Sequence, residues 1–255
     1  MTGSLRLGDA DVARIGLGTN RLRHIPANEA FIREAVAAGI GHIDTAYTYA
    51  GGESEATIGA ALSPFPEGVV VATKGGFHRG KGRPEELRGQ IDESLRRLRT
   101  ETIPLYYLHR VDPETPFEES LGALRECQDA GRIRHVGISE VNVDQIERAR
   151  RVLPIAAVQN HYSLSERKYD EVVDHCAREG IVFVPYFPLR DVGSEALARV
   201  AERHGATQAQ IALAWLLRRS PTMLPIPGTL SAEHMRENLA ALDIELSDED
   251  FTSLS

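Results

Sequence analysis

The 255-residue chain is poor in the residues that anchor disulfide frameworks and metal clusters. It has only two cysteines, Cys127 and Cys176, one tryptophan, three methionines and 6% aromatic residues. No CxxC pair is present and neither cysteine has a histidine at ligand spacing, so both are expected to be reduced packing residues. The nine histidines include no HxH pair, which argues against metal-assisted hydrolysis. No apolar run is long enough to span a bilayer. The opening residues, MTGSLRLGDADVARIG, lack the basic, apolar and small order of a leader, so a cytoplasmic location is expected. The net charge of −8 disfavours nucleic acid and anionic membrane as partners. Hydrophobic residues at 42% and charged residues at 26% are ordinary for a globular chain able to bury a large core.

What is present is an alternation. Short apolar, β-branched runs at 13–18, 41–45, 69–73, 104–109, 134–138, 155–160, 181–186 and 222–226 read as strands. Between them lie helical patterns at 28–39, 53–62, 84–99, 117–130, 143–151, 168–179, 194–219 (with a break at His204–Thr207) and 232–241. In the third pattern Leu87, Ile91, Leu95 and Leu98 recur every three or four residues, and Pro84 stands at its start, where a missing N–H costs nothing. In the fourth, Leu121, Leu124 and Cys127 repeat the spacing and Gly131 marks the stop. Alternating strands and helices imply parallel strands joined by right-handed crossovers, and eight units suggest closure into an α/β fold of the (β/α)8 TIM barrel type. An open doubly wound sheet is the alternative, but Gly16-Leu17-Gly18 lacks the third glycine of a dinucleotide fingerprint. No linker or composition shift divides the chain, so a single domain over 1–255 is expected. Residues 4–12 are expected to form a hairpin at the barrel bottom.

Barrel chemistry gathers at the carboxyl ends of strands. Read in order, those ends carry Gly18-Thr19-Asn20, Asp44 with Tyr47 and Tyr49 beyond it, Lys74, His109, Ser139 with Glu140, Gln159 with Asn160, Tyr186, and Pro227-Gly228-Thr229. Asp44, Tyr49, Lys74 and His109 form a chemically coherent set. A lysine ammonium beside a phenol favours the phenolate, a carboxylate holds the lysine charged, and a histidine can orient a substrate oxygen. Together they make a general acid able to protonate an oxyanion as a hydride arrives. Each also has a plainer reading: a tolerated buried ion pair, a surface tyrosine, a satisfied strand-end histidine. All four would have to coincide on adjacent strands for the plainer readings to hold together.

At these residues the chain resembles the aldo-keto reductase family. GHIDTAYTY (41–49), followed by Glu53, Glu55 and Ile58-Gly59, is similar to its first signature. VVVATKGG (69–76), PLYYLHRVD (104–112), GRIRHVGISE (131–140), AAVQNHYSL (156–164), VPYFPL (184–189) and IPGT (226–229) with Glu237-Asn238 resemble later segments in the same order, with wording like that of a bacterial branch. The resemblance spans essentially the whole chain. It implies an NADPH-dependent reduction of aldehydes or ketones, with Tyr49 as proton donor, Lys74 and Asp44 tuning it, and His109 orienting the substrate. It further implies that Ser139, Glu140 and Gln159 hold the nicotinamide carboxamide and that Tyr186 stacks on the ring. Phe187, Pro188 and Leu189 would line the pyrophosphate channel. Ile226, Pro227, Gly228, Thr229, Ser231 and His234 would meet the adenosine phosphate and ribose, and Glu237 and Asn238 the adenine. Gly18, Thr19 and Asn20 join the cofactor set.

The chain departs from the family pattern at four places. Glu140 stands where many members have Asn, Phe187 where Ser is frequent, and Gly228 and His234 where Lys and Arg are common. NADPH is the expected cofactor, with NADH as the alternative. The chain stops soon after its last predicted helix and the 111–116 connection is short, so an open, shallow pocket for small carbonyl compounds is expected, in a protein acting as a monomer. The alternative function is a nicotinamide-binding sensor or regulatory barrel with slow turnover; a lysine Schiff-base lyase on Lys74 is disfavoured by Tyr49 and Asp44 at family spacing, and a metal hydrolase by the lack of a ligand set.

Overall fold

The computed structural model describes residues 3–190 and 192–254. The chain begins with the expected hairpin. Strands β1 (Ser4–Leu7) and β2 (Ala10–Ala13) pair antiparallel, with Leu7 opposite Ala10 across a turn in which Gly8 adopts φ 62°. Asp9 at the turn accepts from His135 Nε2 and Arg134 Nη1, both at 3.0 Å, which pins the hairpin to the barrel.

Seven parallel strands follow in sequential order: β3 (Leu17–Gly18), β4 (His42–Asp44), β5 (Val70–Gly75), β6 (Ile103–Leu108), β7 (Ile133–Ser139), β8 (Ile155–Gln159) and β9 (Val182–Phe183). The expected eighth barrel strand, 222–226, is the segment that closes the ring. Leu224 N donates to Phe183 O and Phe183 N to Thr222 O, both at 2.9 Å, while Gly16 N and Gly18 N donate to Pro225 O and Pro227 O at 2.9 and 3.3 Å. Parallel bridges Phe183↔Met223 and Gly18↔Gly228 flank it on its two sides. It does not form a regular ladder because Pro225 and Pro227, the residues facing β3, have no N–H to donate. The expected strand 13–18 is likewise interrupted: Ala13 ends the hairpin and only Leu17–Gly18 pairs with β4. Between them Arg14 is buried, donating to Leu217 O at 2.8 Å and Ser220 O at 2.6 Å.

The helices are α1 (Pro26–Ala37), α2 (Glu53–Leu62), α3 (Pro84–Leu98), α4 (Phe117–Asp129), α5 (Val143–Arg150), α6 (Asp170–Glu179), α7 (Glu195–His204), α8 (Gln208–Arg219), α9 (Ala232–Ala240) and α10 (Asp248–Ser253). The expected break between α7 and α8 is where Gly205 ends one helix in the left-handed conformation and Thr207 starts the next with a capping box. Helix α10 lies beyond the sequence-based assignments; Ser247 caps it. Two apolar clusters result. One fills the barrel, where Leu7 and Val12 of the hairpin meet Val70, Leu105, Tyr107, Val184, Leu224 and Ile226; the other lies between strands and helices. Cys127 and Cys176 are buried and unpaired with each other, and burial pushes the Cys176 thiol up to about 12. No helix of the described residues is long and apolar enough to cross a membrane.

Two helical glycines test this packing with opposite signs. A Cβ on Gly59 of α2 would meet Arg97 O at 2.3 Å and Leu98 C at 2.8 Å, whereas one on Gly89 of α3 meets nothing within 4 Å. Gly89→Ala should stabilise the protein by roughly 0.5–1 kcal/mol through helix propensity. Gly59→Ala should destabilise it by about 1–3 kcal/mol because the two helices must separate. Urea unfolding of both variants checks the pair; equal shifts would contradict the close α2–α3 contact.

Candidate active site

The strand ends meet at the carboxyl rim of the barrel around a cavity of about 840 Å³. Beneath it lies a buried charge pair. Lys74, fully buried on β5, donates from Nζ to Asp44 Oδ1 at 2.5 Å, to Thr45 O at 2.7 Å and to the Tyr49 hydroxyl at 3.5 Å. Asp44, at the end of β4, accepts on its other oxygen from Gln159 Nε2 of β8 at 2.8 Å. Burial alone would lower the Lys74 ammonium's pKa, but Asp44 and the Tyr49 hydroxyl outweigh it and the net shift is upward. The lysine therefore stays charged, with its three N–H groups directed at a carboxylate, a carbonyl and the phenol.

Tyr49 is carried on a short 3₁₀ turn, Tyr49–Gly52, in which Ala50, Gly51 and Gly52 have φ of 50°, 66° and 97°. Such a left-handed run is costly for Ala50, and neighbouring contacts hold it. Arg97 of α3 donates to Tyr47 O at 3.0 Å, pairs with buried Glu55 at 3.1 Å and lies 4.6 Å from the Tyr47 ring. A Cβ on Gly52 would strike that guanidinium at 2.4 Å, so a side chain there would push Arg97 from its partners as well as strain a backbone at φ 97°. On the opposite side Ser54 Oγ lies 2.9 Å from Thr19 Oγ1 and 2.7 Å from Thr45 Oγ1, and Thr19 Oγ1 donates to Asp44 O at 2.8 Å.

His109 follows β6, with its ring edge-on to Tyr49 at 6.2 Å between centroids and its buried Nδ1 without a hydrogen-bond partner among the described residues. Burial, then Lys74, Arg110 and His78, push its pKa down to about 2. The imidazole is neutral at working pH. It offers a hydrogen bond and no charge.

Of the residues anticipated from sequence, Gly18, Thr19, Asn20, Asp44, Tyr49, His109, Ser139, Gln159, Tyr186 and the segments 187–189 and 226–228 line the cavity. Lys74 lies beneath the lining. Glu140 is not brought to the cavity. It has φ 57°, and its carboxylate accepts from His161 N at 2.7 Å and from the Tyr169 hydroxyl at 3.1 Å. Thr229, Ser231, His234, Glu237 and Asn238 also lie outside the lining, on the approach to α9 and on α9 itself, where Ser231 Oγ accepts from His234 N at 3.3 Å as the helix cap.

Sequence reading missed Phe77, Arg21, Arg110 and Arg190, all of which line the cavity. It also missed Asp112, whose carboxylate accepts from Gly80 N, Gly82 N, Glu114 N and Thr115 Oγ1 at 2.9–3.0 Å and so folds the loop carrying Phe77. PLYYLHRVD held Arg110 and Asp112 in view, one and three residues after His109, but nothing in their spacing separates a cavity residue from a loop organiser. Phe77 and Phe187 are 41% and 52% exposed, which puts two apolar rings at an open mouth.

The family model of the aldo/keto reductases matches residues 14–194 and 192–255. Pyridoxine 4-dehydrogenase of Escherichia coli is 36% identical over 97% of this chain and 96% of its own. Among solved structures, a thermostable aldo-keto reductase, Tm1743, in complex with epalrestat superposes with a TM-score of 0.91 at 32% identity, covering 100% of this chain and 98% of its own. An aldo-keto reductase from Klebsiella pneumoniae in complex with NADPH gives 0.88 at 31% identity, covering 100% and 94%.

The depressed pKa of His109 has a consequence for stability. An unfolded imidazole takes up its proton near pH 6.5, whereas the native state refuses one until about pH 2. Below pH 6.5 the unfolded state binds more protons, so this contribution to stability is full above that pH and is lost progressively as pH falls. Between pH 6.5 and 4.5 the loss should be on the order of 2 kcal/mol. His109→Gln should lack this component, as urea unfolding of both proteins at the two pH values would show. Parallel losses would mean that His109 is protonated in the native state.

Proposed function

The chain belongs to the aldo/keto reductase family, and from that premise we propose that it reduces an aldehyde or ketone to an alcohol with NADPH, Tyr49 acting as the proton donor. The observation that carries this reading is the Lys74 ammonium held between Asp44 and the Tyr49 hydroxyl, fully buried, beneath the cavity. The cavity fits a nicotinamide cofactor in its donor set: Ser139 and Gln159 offer a hydroxyl and an amide for the carboxamide, and Tyr186 offers a ring for stacking. NADPH, when bound, supplies the hydride that adds to the carbonyl carbon.

The protein's own part is orientation and proton transfer. A carbonyl oxygen seated between Tyr49 and His109 would accept from both. As negative charge grows on that oxygen, the Tyr49 proton moves to it, and the Lys74 ammonium stabilises the phenolate left behind. Asp44 keeps Lys74 charged and aimed, and Gln159 fixes Asp44 in turn. Neutral His109 assists by hydrogen bonding, because an imidazole this reluctant to bind a proton is a poor acid-base partner at working pH. Tyr49→Phe should reduce turnover of 4-nitrobenzaldehyde by about two to four orders of magnitude with the NADPH Kd little changed. A rate close to wild type would remove Tyr49 from the mechanism.

Phosphate recognition falls partly to His234, which is exposed on α9 and lacks the forked N–H donors that a guanidinium offers a phosphate. His234→Arg should shift the ratio of Kd values toward NADPH over NADH. An unchanged ratio would place the 2′-phosphate elsewhere.

A further inference from the structure

The cavity wall carries a cation that carbonyl reduction leaves unused. Arg110 follows His109 at the end of β6 and lines the cavity. Its Nη1 donates to His109 O at 2.6 Å and to Ser139 Oγ at 3.2 Å, and its guanidinium carbon lies 5.4 Å from the Phe77 ring and 5.9 Å from that of Tyr186. These contacts anchor one nitrogen and hold the group between aromatic surfaces. Among the described residues, Arg110 forms no salt bridge. The carboxylate of Glu140, nearby in sequence to Ser139, is already taken by His161 N and the Tyr169 hydroxyl.

A guanidinium held this way keeps N–H donors in a fixed fork that matches a carboxylate. We propose that Arg110 binds an anionic group of the substrate, so that the preferred substrates are carbonyl compounds bearing a carboxylate, with the carbonyl at Tyr49 and His109 and the carboxylate at Arg110. This rests on the carbonyl-reductase reading and adds a substrate class to it. The position suits the substrate: Arg110 shares the ends of β6 and β7 with His109 and Ser139, whereas the segments expected to meet cofactor phosphates, 187–189 and 226–229, follow β9 and the closing strand. Phe77, whose ring lies beside the guanidinium, supplies apolar surface for the body of such a molecule.

The test uses the purified protein with NADPH and two aldehydes of like shape, 4-carboxybenzaldehyde and methyl 4-formylbenzoate. Wild type should favour the acid in kcat/KM, and Arg110→Met should lower the acid-to-ester ratio by about tenfold or more, chiefly through KM, with Arg110→Lys recovering part of it. A ratio unchanged in Arg110→Met overturns the proposal, as does a wild type that favours the ester. Calorimetric titration of the NADP⁺-loaded protein with benzoate and benzamide reads the same site without turnover. Benzoate affinity should fall about tenfold in Arg110→Met, and an unchanged affinity overturns the proposal. A weakened NADPH Kd in that variant, with the acid-to-ester ratio intact, would assign the guanidinium to cofactor phosphate and likewise overturn it. Failure of wild type to reduce either aldehyde would count against carbonyl reduction itself, and the benzoate titration would still decide the role of Arg110.

Discussion

The buried pair of Lys74 and Asp44 is the constraint around which the rim of this barrel is organised. Two charges removed from water cost several kcal/mol each, and only close geometry with every donor and acceptor engaged offsets that. The structure meets the condition with Thr45 O, the Tyr49 hydroxyl and Gln159 Nε2, so β4, β5 and β8 are all held to one arrangement. Removing either charge would leave the other buried and uncompensated, at a cost of about 3–5 kcal/mol. Such a pair is a poor device for stability alone. Its worth is that it presents a fixed ammonium to a phenol at the edge of a cavity.

The rest of the fold keeps that geometry still. The hairpin closes the barrel bottom with Leu7 and Val12, and the proline-containing segment 222–228 closes the ring with one-way hydrogen bonds to β3. Arg97 clamps the left-handed turn after Tyr49 from α3, and the Thr19–Ser54–Thr45 hydroxyl cluster ties the same turn to β3 and β4. Site and scaffold divide along the barrel axis. Apolar contacts fill the bottom and middle, and polar side chains with designated partners occupy the rim.

Much of the site was legible in the sequence because a parallel barrel translates strand ends into neighbours. An apolar run that stops at Asp44, at Lys74 or at His109 announces both the strand and the rim position of the polar residue. The architecture followed from the alternation alone. What stayed hidden depends on contacts between residues remote in sequence. Arg97 reads as one more charge on an amphipathic helix, and nothing local says that its guanidinium reaches the turn bearing Tyr49. Ala50 has no residue-type signal for a left-handed conformation. The fate of Glu140 turns on a backbone φ of 57° that aims its carboxylate at His161 and Tyr169. The closing strand was found, but its irregularity comes from which way Pro225 and Pro227 face, a matter of register.

The central claim is that the Lys74 ammonium makes hydride reduction of a carbonyl possible by supporting the Tyr49 proton. Its most direct test is a single turnover of NADPH carrying deuterium at both C4 positions with 4-nitrobenzaldehyde, comparing wild type with Lys74→Met and analysing the alcohol by mass spectrometry. Wild type should place one deuterium on the alcohol carbon, and Lys74→Met should do so slower by about two to four orders of magnitude while still binding NADPH. Equal rates in the two proteins, or an alcohol without deuterium, would contradict the account.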